Sequence, residues 1–450
     1  MDRLLIRQRL QEAVQHHLEG RTKEAEEILE QILTVCPSDA DALYLLGGIA
    51  LRTGEYEKAI KLIQRAIDVN PSNADYHYNL AGGYYSLAKW EDAACAYRRA
   101  TELGPDFFEA FKGLGAALGR LERYDQAMVA FHSSLKLNPK QFNVYLDLAG
   151  VFEAQNKLES ATQTIQQALQ LEPFSAEAHG RLASIFLKKN DRQNAATAFF
   201  NAGVSLQREQ KKEQSIEAYE EALRLNPNHP KAAHALCSLT GKTPKTAPKE
   251  YVIDLFNEYA DHFDEHLDQL EYQAPELLRK AVGRFCAAGQ LVERILDLGC
   301  GTGKCGVLFR DLAVHLSGID LAPKMIETCK QSNVYDTLHL GDITEILRKA
   351  SDKYDIIIAA DVFIYVGELN ELFSEVSRVC SQGSLFAFSI EAAEGEDFVL
   401  RDSGRFAHAP EYIQELAETT GFSIEVQERA SIRLHEKKSL PGVIFVLKRH

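Results

Sequence analysis

Asp297-Leu298-Gly299-Cys300-Gly301-Thr302-Gly303-Lys304-Cys305-Gly306 is the stretch of this 450-residue chain whose residue types and spacing point most directly at chemistry. The apolar pair Ile295-Leu296 leads into it, which reads as a buried strand turning sharply toward a helix. Glycine is needed in such a bend because a side chain would block a ligand lying against the backbone, and because φ > 0 is often required. The free N–H groups at the start of the following helix suit an anionic ligand group. The pattern predicts a small-molecule site. Glycine spacing alone leaves its ligand open, because Gly301, Gly303 and Gly306 also spell the G-x-G-x-x-G of dinucleotide folds, with Asp320 near the position of a ribose-binding acid. A P-loop does not fit. Leu298 stands where its first glycine belongs and Cys305 where its Ser or Thr belongs.

The stretch from there to Val362 separates the remaining readings. Gly318-Ile319-Asp320 closes a second apolar run, Gly341-Asp342-Ile343 follows a third, and Ala359-Ala360-Asp361-Val362 follows a fourth. With Asp297 to Gly303, this ordered set resembles the motifs of class I S-adenosylmethionine-dependent methyltransferases. The resemblance implies S-adenosylmethionine as cofactor, S-adenosylhomocysteine as product and no metal. It also implies a role for each matching position. Asp320 would accept the two ribose hydroxyls, and Asp342 with the backbone of Ile343 would meet the adenine amino edge. Gly299, Cys300, Gly301 and Gly303 would form the loop that passes the methionyl part, with Asp297 facing its amino group or orienting the loop. Leu321 and Met325 would wall the adenosine. Taken singly, Asp320 and Asp342 read equally well as helix N-caps.

Methyl transfer is an in-line displacement at a sulfonium carbon, so much of the catalysis comes from holding the nucleophile about 3–3.5 Å away on the side opposite sulfur. An oxygen or nitrogen acceptor that carries a proton also needs a base. Candidates are Asp361, which ends the fourth strand beside the expected sulfonium, then Tyr365, Glu391 and His408. His408 lies in Gly404-Arg405-Phe406-Ala407-His408, read as a loop of the kind that meets substrate, with plain solvation as the alternative.

These residues must be positioned by alternating strands and helices, which predicts a Rossmann-like, doubly wound sheet of seven mostly parallel strands. Strands are expected near 293–298, 314–320, 335–340, 354–360 and 384–390. Helices are expected after the first four, and another near Glu411 to Thr420. Ser423 to Glu428 and Val443 to Leu447 follow without a helix between them, joined by a loop holding Pro441-Gly442, and should pair antiparallel. Ahead of the first strand, Tyr251, Leu255, Phe256, Tyr259 and Phe263 recur at helical spacing. This lead-in is similar to that of bacterial methyltransferases fused to tetratricopeptide repeats. It implies a lid over the cofactor, with Tyr259 as a contact.

The first half of the chain is organised differently. Prolines 37, 71, 105, 139 and 173 recur at one constant interval of roughly 34 residues, the mark of a repeat architecture. Twelve residues before each stands Ala25, Ala59, Ala93, Ala127 or Ala161; twenty-four before, Ala13, Gly47, Ala81, Gly115 or Ala149; eight before, Leu29, Ile63, Tyr97, Phe131 or Ile165. Small residues at these spacings let two helices approach closely while the bulky one fills the groove. The pattern resembles the tetratricopeptide repeat. After Pro173 two displaced registers overlap, one through Ala183, Ala195 and Phe199 and the other through Gly203, Tyr219 and Ala222. The overlap predicts one helix near Asn194 to Arg208 shared by two successive pairs. His229 to Leu239 reads as a capping helix. Stacked repeats commonly take an extended peptide or partner helix in an inner groove. Tyr44, His77, Asn79, Phe111, Lys112, Tyr145 and Asp147 lie on first helices and are candidates to line it, with ordinary packing as the alternative for the aromatics.

The expected organisation is a helical-repeat array over 1–240, a Pro/Thr/Lys-rich linker over 241–250 and a methyltransferase domain over 251–450. A net charge of −15 argues against non-specific nucleic-acid binding. No apolar run approaches about 18 residues, so no membrane span is expected. The N-terminus, from Met1-Asp2-Arg3, reads as an amphipathic helix rather than a secretion signal. Eight scattered cysteines without metal-site spacing suggest reduced, mostly buried thiols in a cytoplasmic protein. The expected function is methyl transfer to a small molecule or protein side chain, with the array recruiting a protein partner. The alternative is a scaffold that binds the cofactor without turnover.

Overall fold

A computed structural model describes residues 3–287, 289–435 and 438–450. The chain divides into two compact units, Met1–Arg208 and Glu209–His450. The start of the predicted N-terminal helix, Met1-Asp2, lies outside the described residues; the helix itself spans Arg3–Leu18.

In the first unit the proline period becomes a run of helix pairs. Arg3–Leu18 is followed by Thr22–Val35, Ala40–Arg52 by Tyr56–Val69, and Ala74–Ser86 by Trp90–Leu103. Phe108–Arg120 is followed by Tyr124–Leu137, Phe142–Ala154 by Leu158–Leu171, and Ala176–Lys188 by Arg192–Arg208. The carboxylate of Asp39, the amide of Asn73 and the hydroxyl of Ser175 accept backbone N–H bonds at helix starts, which ends the preceding turn. The recurring alanines are fully buried, and in two repeats the small residue twenty-four before the proline is seen to lie against the bulky one eight before it. A Cβ on Gly47 would stand 2.6 Å from Ile63, and one on Gly115 would stand 2.7 Å from the Phe131 ring. Tyr97 also reaches the following repeat, where a Cβ on Gly113 would overlap its ring.

A second periodicity emerges only from the backbone. Gly20, Gly54, Ala88, Glu122, Asn156 and Asn190 all have positive φ, one at each turn within a pair, and Gln210 repeats the feature well short of the next full period. That early return matches the predicted register shift. Among the described residues, three helices rather than four lie between Ser175 and Pro227, the middle one being the 17-residue Arg192–Arg208. Of the groove candidates, Asn79 donates to the Tyr44 hydroxyl at 2.9 Å and His77 donates to the Pro71 carbonyl at 2.9 Å. These side chains hold neighbouring segments together.

The second unit begins with helices Lys212–Leu225 and Pro230–Thr240. The latter starts at a His229 cap with Pro230 in its first turn, and stops at Gly241, which has φ of +71°. The predicted linker is a strap. Gly367 and Glu368 donate to the Lys245 carbonyl at 3.0 and 2.7 Å, and Ala247 donates to the Tyr365 carbonyl at 3.0 Å. Its backbone polar groups find partners on the fold instead of water.

Seven strands then form one sheet: β1 (Val292–Leu298), β2 (Ala313–Asp320), β3 (Thr337–Leu340), β4 (Tyr354–Ala359), β5 (Cys380–Glu391) and two later strands. A hairpin of β6 (Phe398–Leu400) and β7 (Phe406–His408) stands apart, and β8 (Phe422–His435) and β9 (Lys438–Arg449) complete the sheet. The order is β3-β2-β1-β4-β5-β9-β8, with β9 antiparallel to β5 and β8 antiparallel to β9. Ile295 and Leu296, like Ile356 and Ile357, point to opposite faces, and both faces are buried, as a helix-covered parallel sheet requires. One expectation needs correction, and one element is additional. Pro441-Gly442 is inside β9, where Gly442 makes room for Ile432, and the connection falls at 436–437, outside the described residues. The hairpin β6–β7 was not anticipated, because its strands are only three residues each.

Gly115→Val should lower the stability of the array by about 1–3 kcal/mol through overpacking against Phe131. Ala88→Gly should raise it by roughly 0.5–1 kcal/mol, because alanine is strained at a φ of +57°. Urea unfolding followed by helical circular dichroism measures both.

Candidate active site

The glycine loop after β1 is pinned from three sides. Gly299 and Cys300 both donate to the Ile319 carbonyl, at 2.8 and 2.9 Å. The Asp320 carboxylate accepts the Gly301 N–H on one oxygen at 2.9 Å and the Ala322 N–H on the other at 2.8 Å. Gly299, Gly301 and Gly303 have φ of +69°, +54° and +100°, and a Cβ on Gly299 would lie 2.7 Å from Val362. Beneath the loop the Tyr335 hydroxyl donates to one Asp297 oxygen at 2.6 Å, while the other has no partner among the described residues. Burial pushes the Asp297 carboxyl up to about 7, against the pull of the Tyr335 bond and with a further push from Asp320. Gly306 is bare because Tyr335 occupies the space a Cβ would need.

A cavity of about 610 Å³ opens beyond the carboxyl ends of the strands. That is where the strand order reverses, between β1 and β4. Of the residues expected from sequence, Tyr259, Gly299, Cys300, Gly301, Asp320, Leu321, Asp342, Ile343, Asp361 and Tyr365 line it. Asp297, Gly303, Met325, Glu391 and His408 do not. Asp297 and Gly303 lie under the loop, where Gly303 meets Cys329 and Tyr335. Met325 is fully buried beneath Phe256 and Phe263, one layer behind the wall. Asp342 also takes the N-cap role its position allows, accepting from the Glu345 N–H at 3.0 Å, while its other oxygen pairs with Lys249 at 3.2 Å.

The lead-in segment lies across the loop as helices Lys249–Tyr259 and Phe263–Gln269. Thr302 donates to Asp264 at 2.7 Å, Lys304 pairs with Asp268 at 2.7 Å, and the Lys324 N–H donates to Asn257 at 3.1 Å. Phe256 and Phe263 turn inward onto Ala322 and Met325, whereas Tyr259 is 41% exposed and stacks on His266.

The opposite wall is ionic. Asp361 follows β4 with a φ of +60°, and its N–H donates to the Ser389 hydroxyl at 2.8 Å. Arg433, from β8, bridges one oxygen of Asp361 and one of Glu391, and Arg433 and Glu391 are each only 2% exposed. The remaining Asp361 oxygen is buried without a partner among the described residues. Burial raises the Glu391 carboxyl, with Arg405 and Arg401 drawing it back. Tyr365 is pushed up to about 12 by burial, so it remains a phenol at neutral pH. His408 is not in a solvated loop. It is fully buried in β7 and hydrogen-bonds the Val366 and Gly367 carbonyls, both at 2.9 Å, with burial holding its imidazole down at about 4. Its neighbour Arg405 is the residue of that segment that reaches the cavity. Sequence reasoning passed over Arg405, Arg433, Phe256, Phe263 and Lys249 as site residues. Helical spacing marks the two phenylalanines, whereas Arg433 lies far down the chain from Asp361 and nothing local announces it.

Asp297 carries a testable pH signature. Its folded value lies above the ordinary carboxylate value, so its contribution to stability is complete below about pH 4 and is lost as pH rises toward 7. Asp297→Asn should therefore flatten the fall in stability between pH 4 and 7, a difference of a few kcal/mol. Denaturant midpoints measured across that window for both proteins test it.

Residues 292–420 match a methyltransferase domain family, and residues 3–221 match the family described as the cilia and flagella-associated protein 70 C-terminal domain, a tetratricopeptide-type profile. Malonyl-[acyl-carrier protein] O-methyltransferase of Serratia marcescens is 32% identical over 126 residues, 27% of this chain and 49% of that protein. Ubiquinone biosynthesis O-methyltransferase of Bartonella quintana is 28% identical over 120 residues, 24% of this chain and 49% of that one. The chain thus spans about half the length of these curated relatives. A solved structure titled as a functional characterisation of Pseudomonas aeruginosa pilF aligns at 23% identity and a TM-score of 0.39, over 51% of this chain and 95% of its own. Taken with the helix pairs and the sheet order, the two family matches identify an N-terminal tetratricopeptide-like array followed by a C-terminal methyltransferase domain.

Proposed function

We propose that the C-terminal domain transfers a methyl group from S-adenosylmethionine to an oxygen atom of a small-molecule or protein acceptor. The observation that carries the reading is the bare loop at 299–301, held open to the cavity by Asp320. The donor set fits such a nucleoside. Asp320 is held by backbone N–H groups on both oxygens, and its remaining acceptor capacity would take ribose hydroxyls. Asp342 and Ile343 would meet the adenine edge, Leu321 would wall the ring, and the φ > 0 backbone at Gly299 and Gly301 would admit the methionyl part. Tyr259 and the lead-in helices would exclude water.

When bound, the cofactor supplies the methyl group on an electron-poor sulfonium carbon. The protein supplies position. The Asp361 oxygen without a partner among the described residues would accept a hydrogen bond from the cofactor amino group or from an acceptor hydroxyl, and Arg433 holds that carboxylate in place. Tyr365, kept as a phenol, would donate rather than take a proton. O-methyltransferase relatives support oxygen as the acceptor atom. The tetratricopeptide-like fold supports recruitment of a protein or peptide, with Phe111, Lys112, Tyr145 and Asp147 as proposed contacts. Eight cysteines without disulfide partners support a reducing compartment, the cytoplasm.

Titration calorimetry with S-adenosylmethionine and S-adenosylhomocysteine tests the reading. Wild-type protein should bind both, and Gly301→Leu should weaken binding at least tenfold while leaving the array helical. Absence of heat with either nucleoside would remove the proposal. Transfer of labelled methyl to fractionated lysate, followed by mass spectrometry, would then identify the acceptor.

A further inference from the structure

The cavity wall contains a cation with no carboxylate of its own. Lys249, Lys304, Arg348 and Arg433 each pair with a carboxylate within 4 Å. Arg405 lines the same cavity and, among the described residues, has no such partner. It is half-buried, its guanidinium lies beside the Tyr365 hydroxyl, and Glu391 faces the positive charge of Arg405, Arg401 and Arg433. Counting Asp361 and Glu391 against Arg401, Arg405 and Arg433, this wall carries one more positive charge than negative. With Glu391 shared among three guanidiniums and Asp361 held by Arg433, one positive charge of the wall is left unbalanced, which is costly away from water.

The backbone around Arg405 is held by contacts on both sides. Arg405 begins the return arm of the β6–β7 hairpin, whose turn closes with the Arg401 N–H donating to the Arg405 carbonyl at 2.9 Å. Next to it, the Gly404 carbonyl accepts from His234 of helix Pro230–Thr240 at 2.8 Å, and His234 packs on Tyr251 with ring centroids 4.5 Å apart. The Leu400 N–H donates to Thr243 at 3.3 Å, and Lys212 pairs with Asp402 at 3.7 Å. The last helices before the strap therefore buttress the segment that presents this arginine.

We propose that Arg405, with the Tyr365 hydroxyl beside it, binds an oxyanion carried by the methyl acceptor, a carboxylate or a phosphate, and that His234 is the positioning residue for that contact. The inference deepens the methyltransferase reading and rests on it. A planar guanidinium matches either oxyanion bidentately, and the oxyanion completes the charge balance of the wall.

The test uses the 450-residue chain saturated with S-adenosylhomocysteine and titrated separately with succinate, dimethyl succinate and inorganic phosphate. Succinate or phosphate should bind, and which of them binds distinguishes the two sources of charge. Dimethyl succinate should not bind. Arg405→Ala should weaken the bound anion roughly 10- to 100-fold, the effect of losing a charge-assisted pair, with Arg405→Lys recovering part of it. His234→Ala should weaken the same anion by a smaller factor and accelerate amide exchange over residues 400–405. Affinity for S-adenosylhomocysteine should stay within twofold in all three variants. Anion binding that is absent, or equal in Arg405→Ala, would overturn the proposal. So would a tenfold loss of S-adenosylhomocysteine affinity in Arg405→Ala, which would assign the arginine to the cofactor instead. No binding of S-adenosylhomocysteine to the wild type would fail the underlying methyltransferase reading, a result separate from these.

Discussion

The methyltransferase domain depends on one carboxylate that ties two strand ends together. Asp320, at the end of β2, holds the Gly301 N–H from the loop after β1 and the Ala322 N–H from its own turn. Those bonds fix the loop with its backbone facing the cavity, a shape that needs φ > 0 at three glycines and leaves no room for a side chain at 299. Such a bend costs conformational entropy and forgoes packing. The surroundings offset this: the Ile319 carbonyl takes two N–H groups, and Asp297 with Tyr335 supports the loop from below. The result is a cradle formed before any ligand arrives, which lowers the ordering cost of binding.

The far wall is built on the opposite principle, with charge rather than bare backbone. Asp361, Glu391 and Arg433 are withdrawn from solvent, and buried charges persist only where paired and hydrogen-bonded. Their pairing fixes Asp361 in a left-handed backbone conformation that a non-glycine residue rarely adopts. Strain of this kind is characteristic of functional sites. The contributing residues come from β4, β5, the β6–β7 hairpin and β8, so the wall assembles only when the whole sheet has formed.

In the array the repeated unit is a contact between a small and a bulky residue. Gly47 against Ile63 and Gly115 against Phe131 are the same packing solution two repeats apart, with the left-handed turn residue keeping the two helices of each pair in register. The final helices, Lys212–Leu225 and Pro230–Thr240, belong to the compact unit that holds the sheet. Buried His234 and the strap at 241–250 show why, since their partners, Gly404, Tyr365 and Gly367, lie far along the chain.

The sequence by itself determined whatever rests on local spacing. The constant proline interval marked the helix pairs, the slip in register after Pro173 marked the long helix Arg192–Arg208, and the alternation of apolar runs marked all seven strands of the sheet, most of them close to their starts. The glycine loop and the acids at 320, 342 and 361 were legible because each sits at a strand end or just past one, where topology leaves little choice of direction. Tertiary structure decided the rest. Met325 and His408 carry suitable chemistry, yet packing turned both away from the cavity; Arg405, marked only as part of the segment around His408, and Arg433, which nothing in the sequence marks, reach it. A strand or helix fixes which way its side chains alternate, but only the meeting of distant segments fixes which of them a cavity will expose.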